Sequence, residues 1–207
     1  MNKSKDKIVY SYTIPDKIKI KCTNFFWKIF DILSYKIKKI AGIYDKLISS
    51  EYIRENKMFD IEKSKSILHI GCGSYPLTAM TLSKLNGGKI VGIDKSYSAI
   101  KRANRVISDK NLKERVSVKL GNGSNFPLDD FDTIIVSSCS IPKNMILEHL
   151  FENAPKDCKI IIREQPGPAH LVSDYVELYR DNISIEKEIE NNAFRTSKWK
   201  SYCLVKK

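Results

Sequence analysis

The 207-residue chain is long enough to bury a proper hydrophobic core, and its 42% apolar share is that of a globular domain. No apolar run approaches the roughly 20 residues that span a bilayer, and the lysine-rich start lacks the apolar stretch of a secretory leader. Five scattered cysteines with no Cys-x-x-Cys pair, and three separated histidines, argue against a disulfide framework or a metal site and for reduced thiols in a cytoplasm.

The net charge of +12 is uneven: residues 1–65 hold 15 Lys and Arg against 8 Asp and Glu, and residues 66–207 hold 21 against 16. A basic face can meet nucleic acid, an anionic membrane or an acidic substrate, and it can also simply be solvated. Residues 1–23 alternate lysine with isoleucine (Lys17-Ile18-Lys19-Ile20-Lys21), a pattern that suits a short edge strand or an irregular arm. From Asn24 to Ile48 the period changes. Phe26, Ile29, Leu33, Ile37, Ile40, Tyr44 and Leu47 recur at steps of three and four, which predicts an amphipathic helix of about 25 residues bent at Gly42. Such a helix can pack on its own domain, lid a pocket, or make a peripheral membrane contact through residues 24–48. A short helix over Glu51–Phe59 and the polar linker Asp60–Lys65 follow. Residues 1–60 therefore read as a helical extension and residues 61–207 as the main domain.

That domain opens on Ile67, Leu68 and Ile70, an apolar run of the kind that forms a buried parallel strand. Gly71-Cys72-Gly73 breaks the run. Pro76 suits a first helical position, where its missing N–H has no partner to lose, and Leu77, Met80 and Leu82 continue an apolar helical face. Strand, glycine turn and helix in that order make the local setting of a nucleotide cradle. Lys89–Asp94 is a second strand ending on an acid, Ser98–Ile107 a helix, and Val116–Leu120 a third strand closed by Gly121-Asn122-Gly123. Phe131–Ser137 and Cys158–Arg163 are further strands, followed by helices near Asn144–Phe151 and Ala169–Arg180. Ile183–Ile189 and Lys200–Val205, joined by a polar loop, can pair antiparallel. Five strands alternating with helices imply an α/β fold: a parallel sheet covered on both faces, with the antiparallel pair at one edge.

In such a sheet ligands collect beyond the carboxyl ends of the strands, beside the first strand. The candidates there are Gly71, Cys72, Gly73, Asp94, Asn122, Gly123 and Ser137. Gly71 and Gly73 let the backbone approach a ligand closely. Asp94, 21 residues after Gly73, can accept both hydroxyls of an adenosine ribose, and Asn122 with its glycines can frame the adenine. A dinucleotide fingerprint would place a third glycine where Pro76 stands, and no phosphate-loop signature is present.

Gly71-x-Gly73, the strand-ending Asp94 and the late antiparallel pair resemble the class I S-adenosylmethionine-dependent methyltransferase superfamily over residues 64–207. The resemblance implies a Rossmann-like, mostly parallel seven-stranded sheet, S-adenosylmethionine as cofactor, the glycine turn beside its methionine portion and Asp94 on its ribose. Gly71-Cys72-Gly73-Ser74-Tyr75-Pro76-Leu77-Thr78 is similar to the Gly-x-Gly-x-x-Pro-Leu-Thr segment of nicotianamine synthases, as is Ile161-Ile162-Arg163 followed by Gly167-Pro168-Ala169. That second likeness implies transfer of the aminocarboxypropyl group instead of the methyl.

An amine nucleophile must be neutral, so a nearby carboxylate, phenol or imidazole takes its proton. Tyr75 beside the turn, Glu51 and Glu55 on the short helix, and Glu164 and His170 after the fifth strand are the candidates. The segment Ser137-Ser138-Cys139-Ser140-Ile141-Pro142 lacks the Asp/Asn-Pro-Pro-aromatic signature of base amino methylation, and no Pro-Cys pair makes Cys139 a nucleophile. The sequence thus predicts a cytoplasmic S-adenosylmethionine-dependent transferase, with methyl transfer to a small-molecule acceptor as the first reading. Aminocarboxypropyl transfer to an amine, and an RNA-directed role for the basic N-terminal region, are the alternatives.

Overall fold

The computed structural model describes residues 14–165, 170–194 and 197–207. Residues 1–13 and the segment Gly167-Pro168-Ala169 lie outside the described residues. The helices are α1 (Ile14–Lys36), α2 (Lys38–Met58), α3 (Leu77–Leu85), α4 (Tyr97–Asp109), α5 (Lys143–Asn153) and α6 (His170–Leu178). Five parallel strands alternate with the later helices: β1 (Ser66–Ile70), β2 (Lys89–Asp94), β3 (Val116–Leu120), β4 (Thr133–Val136) and β5 (Lys159–Glu164). β6 (Ile183–Phe194) and β7 (Ser197–Lys206) add an antiparallel hairpin. The order β3-β2-β1-β4-β5-β7-β6 is the predicted mixed sheet, and its switch point falls between β1 and β4.

Successive strand residues point to opposite faces, so each strand feeds two cores. Leu68, Ile70, Ile134 and Val136 pack with Leu147, Leu150 and Phe151 of α5 and with Leu171 and Val172 of α6. Ile67, Ile135 and Ile161 pack with Ile48 of α2, Leu77 and Met80 of α3 and Ile107 of α4. Fully burying a side chain of this size contributes about 1.5–3 kcal/mol, and both faces of the sheet are stabilised this way.

The N-terminal region differs from its predicted form. Residues 14–36 are one helix, which rules out an edge strand over Lys17–Lys21, and the break falls at Ile37, not at Gly42. Ile37 leaves the helical region (φ −124°, ψ 106°), yet its N–H still donates to Leu33 O and its carbonyl still accepts from Ala41 N. Both hydrogen-bond ladders therefore survive a one-residue break. Gly42 stays inside α2 with open space around it, where an exposed helical glycine costs only about 1 kcal/mol. α2 also runs on through Ser49 and Ser50 to Met58, because Ser49 Oγ meets Thr81 Oγ1 of α3 (3.0 Å) and Glu55 reaches Arg163 of β5. Pro76 caps α3 from one residue before its first turn. β6 and β7 absorb most of the expected polar loop: buried Asn191 pairs opposite Trp199, and its Nδ2 donates to Ser201 Oγ (2.9 Å).

Candidate functional site

β1 ends in the glycine turn, and both glycines adopt positive φ (Gly71 +81°, Gly73 +71°). A Cβ on Gly71 would collide with Ser140 Oγ, which donates to Ile70 O (3.0 Å), so the turn is packed against the loop after β4. Gly71 N and Cys72 N donate to Ile93 O (2.8 and 3.0 Å), tying the turn to β2. At the end of β2, Asp94 accepts Gly73 N on Oδ2 (3.1 Å) and Ser96 N on Oδ1 (2.9 Å). One carboxylate thus braces two loops. A Cβ at Gly123 would collide with Ile70 Cγ2, so only glycine lets the loop after β3 approach β1 this closely.

These loops border a cavity of about 680 Å³, within the roughly 300–1,000 Å³ typical of small-ligand sites. Gly71, Cys72, Gly73, Asp94, Asn122, Gly123 and Ser137 all line it, so the fold brings all seven predicted cofactor residues together. The rest of the wall comes from α1 and α2, through Trp27, Asp31, Tyr44 and Tyr52, and from Trp199 of β7. The aromatic groups of the wall are connected: Trp27–Tyr44 centroids are 6.3 Å apart and Tyr44–Tyr75 6.2 Å, with Phe30 packed against Tyr44 at 5.2 Å from outside the lining.

Asp31 is the residue that sequence reasoning missed. Its Oδ2 accepts Ser74 N and its Oδ1 accepts Tyr75 N, both at 2.8 Å, so a carboxylate from α1 sits on the outgoing limb of the glycine turn. Burial raises its carboxyl above the usual carboxylate range, and the two backbone donors offset part of that rise. In the sequence it is one charged residue of an amphipathic helix, with no signal to separate it from a solvated one.

Of the five predicted proton acceptors, Tyr75 lines the cavity. Its phenol donates to Asp45 Oδ2 (3.1 Å), and burial together with Asp45 pushes it well above the ordinary tyrosine value, so it stays protonated. Glu55 is committed elsewhere. It is 1% exposed and accepts Arg163 Nη2 (2.7 Å), Arg163 Nε (3.1 Å) and Ser201 Oγ (2.7 Å). Glu51 pairs with Arg54 (2.8 Å), and neither glutamate lines the cavity. Glu164 is buried behind the cavity wall; desolvation raises its carboxyl while Lys143 pulls it down. His170 opens α6, and its side chain lies outside the described residues. Cys139 lines the cavity, and burial raises its thiol, which keeps it in the un-nucleophilic protonated form.

His69 of β1 also lines the cavity, with Nε2 2.8 Å from Ser137 Oγ and Nδ1 without a hydrogen-bond partner among the described residues. Burial, and secondarily the Arg163 charge, push its pKa down to about 3. The unfolded chain binds a proton near pH 6.5 that the folded chain refuses, so His69's contribution is intact above pH 6.5 and is lost as pH falls toward 3. At about 1.4 kcal/mol per pH unit the loss reaches about 3 kcal/mol by pH 4.5. Urea unfolding at pH 7.5 and 4.5 checks this: His69→Gln should show a shallower pH slope than the wild type by about one proton. Equal slopes would contradict it.

A family model described as a methyltransferase domain matches residues 61–206. No curated protein sequence matches the chain significantly. Among solved structures, a SAM-dependent methyltransferase from Aquifex aeolicus is similar at 20% identity and TM-score 0.61, over 74% of this chain and 89% of that one. A point mutant of the nicotianamine synthase MtNAS is similar at 13% identity and TM-score 0.75, over 94% of this chain and 78% of that one, a span that takes in the N-terminal helices. The same mutant in complex with S-adenosylmethionine is similar at 17% identity and TM-score 0.63, over 76% of this chain and 62% of that one.

Proposed function

Because the chain belongs to the methyltransferase-domain family, we propose that it transfers the methyl group of S-adenosylmethionine to a small-molecule acceptor enclosed by α1 and α2. The observation that carries this is the single cavity in which the predicted cofactor residues meet the aromatic wall of the two N-terminal helices. The residues fit the cofactor. Two positive-φ glycines clear the approach, Asp94, read as the ribose acceptor, is held by two backbone donors, and Gly123 keeps the third loop close.

When bound, S-adenosylmethionine supplies an electrophilic methyl carbon, and its transfer leaves S-adenosylhomocysteine. The protein's share is to orient the acceptor, exclude water and hold a proton. Trp27, Tyr44 and Tyr52 give the acceptor an apolar, water-excluding wall. Tyr75 Oη, already donating to Asp45, keeps lone pairs for an acceptor N–H or O–H. Asp45 Oδ2, which already accepts the phenol hydrogen, is the atom to which a proton relayed through Tyr75 Oη can pass. Calorimetry with S-adenosylhomocysteine, followed by product identification after turnover with candidate amines, tests the reading. Absence of binding would refute it.

Two narrower readings have support of their own. Aminocarboxypropyl transfer is supported by Tyr75-Pro76-Leu77-Thr78 at the cavity and by a likeness to a nicotianamine synthase that extends through α1 and α2. Methylthioadenosine in place of S-adenosylhomocysteine among the products identifies it. Peripheral contact with an anionic membrane is supported by Ile18, Phe25, Phe26 and Ile29, which lie exposed on α1 beside Lys21 and Lys28. Flotation with phosphatidylserine vesicles, lost in a Phe25→Asp/Phe26→Asp variant, tests that. The RNA-directed alternative draws on the net charge of +12 and on the basic N-terminal helix.

A further inference from the structure

Asp31 and Asp94 flank the same turn. Asp94 holds Gly73 N, and Asp31 holds the next two N–H groups, of Ser74 and Tyr75. Both line the cavity, and among the described residues neither forms an ion pair. Arg102, whose guanidinium reaches the turn, donates to Ser74 Oγ (2.9 Å). Asp31 accepts the two backbone hydrogens and a further hydrogen bond from the Ser74 side chain, which still leaves a carboxylate of about four acceptor sites one lone-pair direction free. A mostly buried carboxylate facing a cavity without a counter-charge is costly unless a cation joins it. A cofactor whose ribose was held by Asp94 would have its amino-acid end beside the turn that Asp31 also holds, and that end carries a positive α-ammonium.

Resting on the cofactor reading above, we propose that Asp31 receives the α-ammonium of S-adenosylmethionine, so that α1 completes the donor site as well as enclosing the acceptor. Asp31 is then a cofactor-binding residue supplied from outside the segment matched by the methyltransferase family model. The proposal separates two ligands. S-adenosylhomocysteine carries the ammonium; methylthioadenosine has the same nucleoside and no amino-acid end.

Calorimetry on the full chain tests it. Asp31→Asn should weaken S-adenosylhomocysteine about tenfold or more, the scale of a charged hydrogen bond, and leave methylthioadenosine within about twofold. On the wild type, the S-adenosylhomocysteine analogue lacking the α-amino group should bind about tenfold more weakly than the parent, and Asp31→Asn should not distinguish the two. The wild-type comparison stands even where the variant fails to fold. Equal losses for both ligands would mean that Asp31 only closes α1 onto the turn, and tighter binding of both would mean that it occupies the cofactor's own place. Either result, or an unchanged S-adenosylhomocysteine affinity, overturns the proposal. A wild type that binds neither ligand removes the cofactor reading, and this inference with it.

Discussion

Glu55→Ala is expected to cost about 3–5 kcal/mol of stability, the range for removing one partner of a buried ion pair. Arg163 is 3% exposed, and Glu55 holds two of its nitrogens in a bidentate fork. Among the described residues, the variant leaves the guanidinium Thr78 Oγ1 (2.8 Å) as a hydrogen-bond partner and the face of Tyr52 (3.9 Å) as a ring contact. Arginine cannot discharge itself by losing a proton, so the charge stays buried. Ser201 Oγ, which receives Asn191 and passes its own hydrogen to Glu55, loses its acceptor as well. For a domain of this size the melting temperature should fall by roughly 10 °C. A paired Glu55→Leu/Arg163→Met replacement should recover most of the loss, because it removes both charges and keeps the volume. Thermal and urea unfolding of the three proteins decide the matter. A single variant within about 1 kcal/mol of the wild type would show that the ion pair does not fasten α2 to the sheet.

The same pair shows where sequence reasoning reaches and where it stops. The sheet was legible because the parallel strands are short runs rich in β-branched residues, four of them closed by glycine or an acid (Gly71, Asp94, Gly121, Glu164) and β4 by Ser137, and the cofactor loops were legible because each follows its strand directly. Gly71, Asp94 and Asn122 belong to one site by the geometry of a parallel sheet, without knowledge of any side-chain contact. The other wall has no such rule. Asp31 meets Ser74 across 43 residues and Glu55 meets Arg163 across 108, and in sequence both acids are simply polar positions of amphipathic helices. Helical periodicity separates a polar face from an apolar one, but it does not say which polar residue is turned into a cavity. It also ran unbroken through Ile37, because a one-residue break that keeps both hydrogen-bond ladders leaves the apolar spacing intact. His69 hid for the opposite reason: inside an apolar strand run, a lone histidine carries no periodic mark.

Asp94→Ala should weaken S-adenosylhomocysteine about a hundredfold and, unlike Asp31→Asn, should weaken methylthioadenosine equally. Two effects combine. The proposed ribose contacts are two hydrogen bonds to a carboxylate, each of the order of 1.5–3 kcal/mol when lost, and both ligands carry that ribose. Gly73 N and Ser96 N also lose their shared acceptor, which loosens the turn and the start of α4 together. Asp94→Asn is no conservative escape. The carboxylate serves one backbone N–H with each oxygen, so an amide oxygen can satisfy only one of them, and the NH₂ group must face the other donor. The asparagine variant should therefore lie much closer to alanine than to the wild type in affinity. Calorimetry with the two ligands on the three proteins reads this directly. Loss confined to S-adenosylhomocysteine would move Asp94 from the nucleoside to the amino-acid end and exchange the roles argued for the two aspartates. Equal retention of both ligands would take the glycine turn out of the cofactor site altogether.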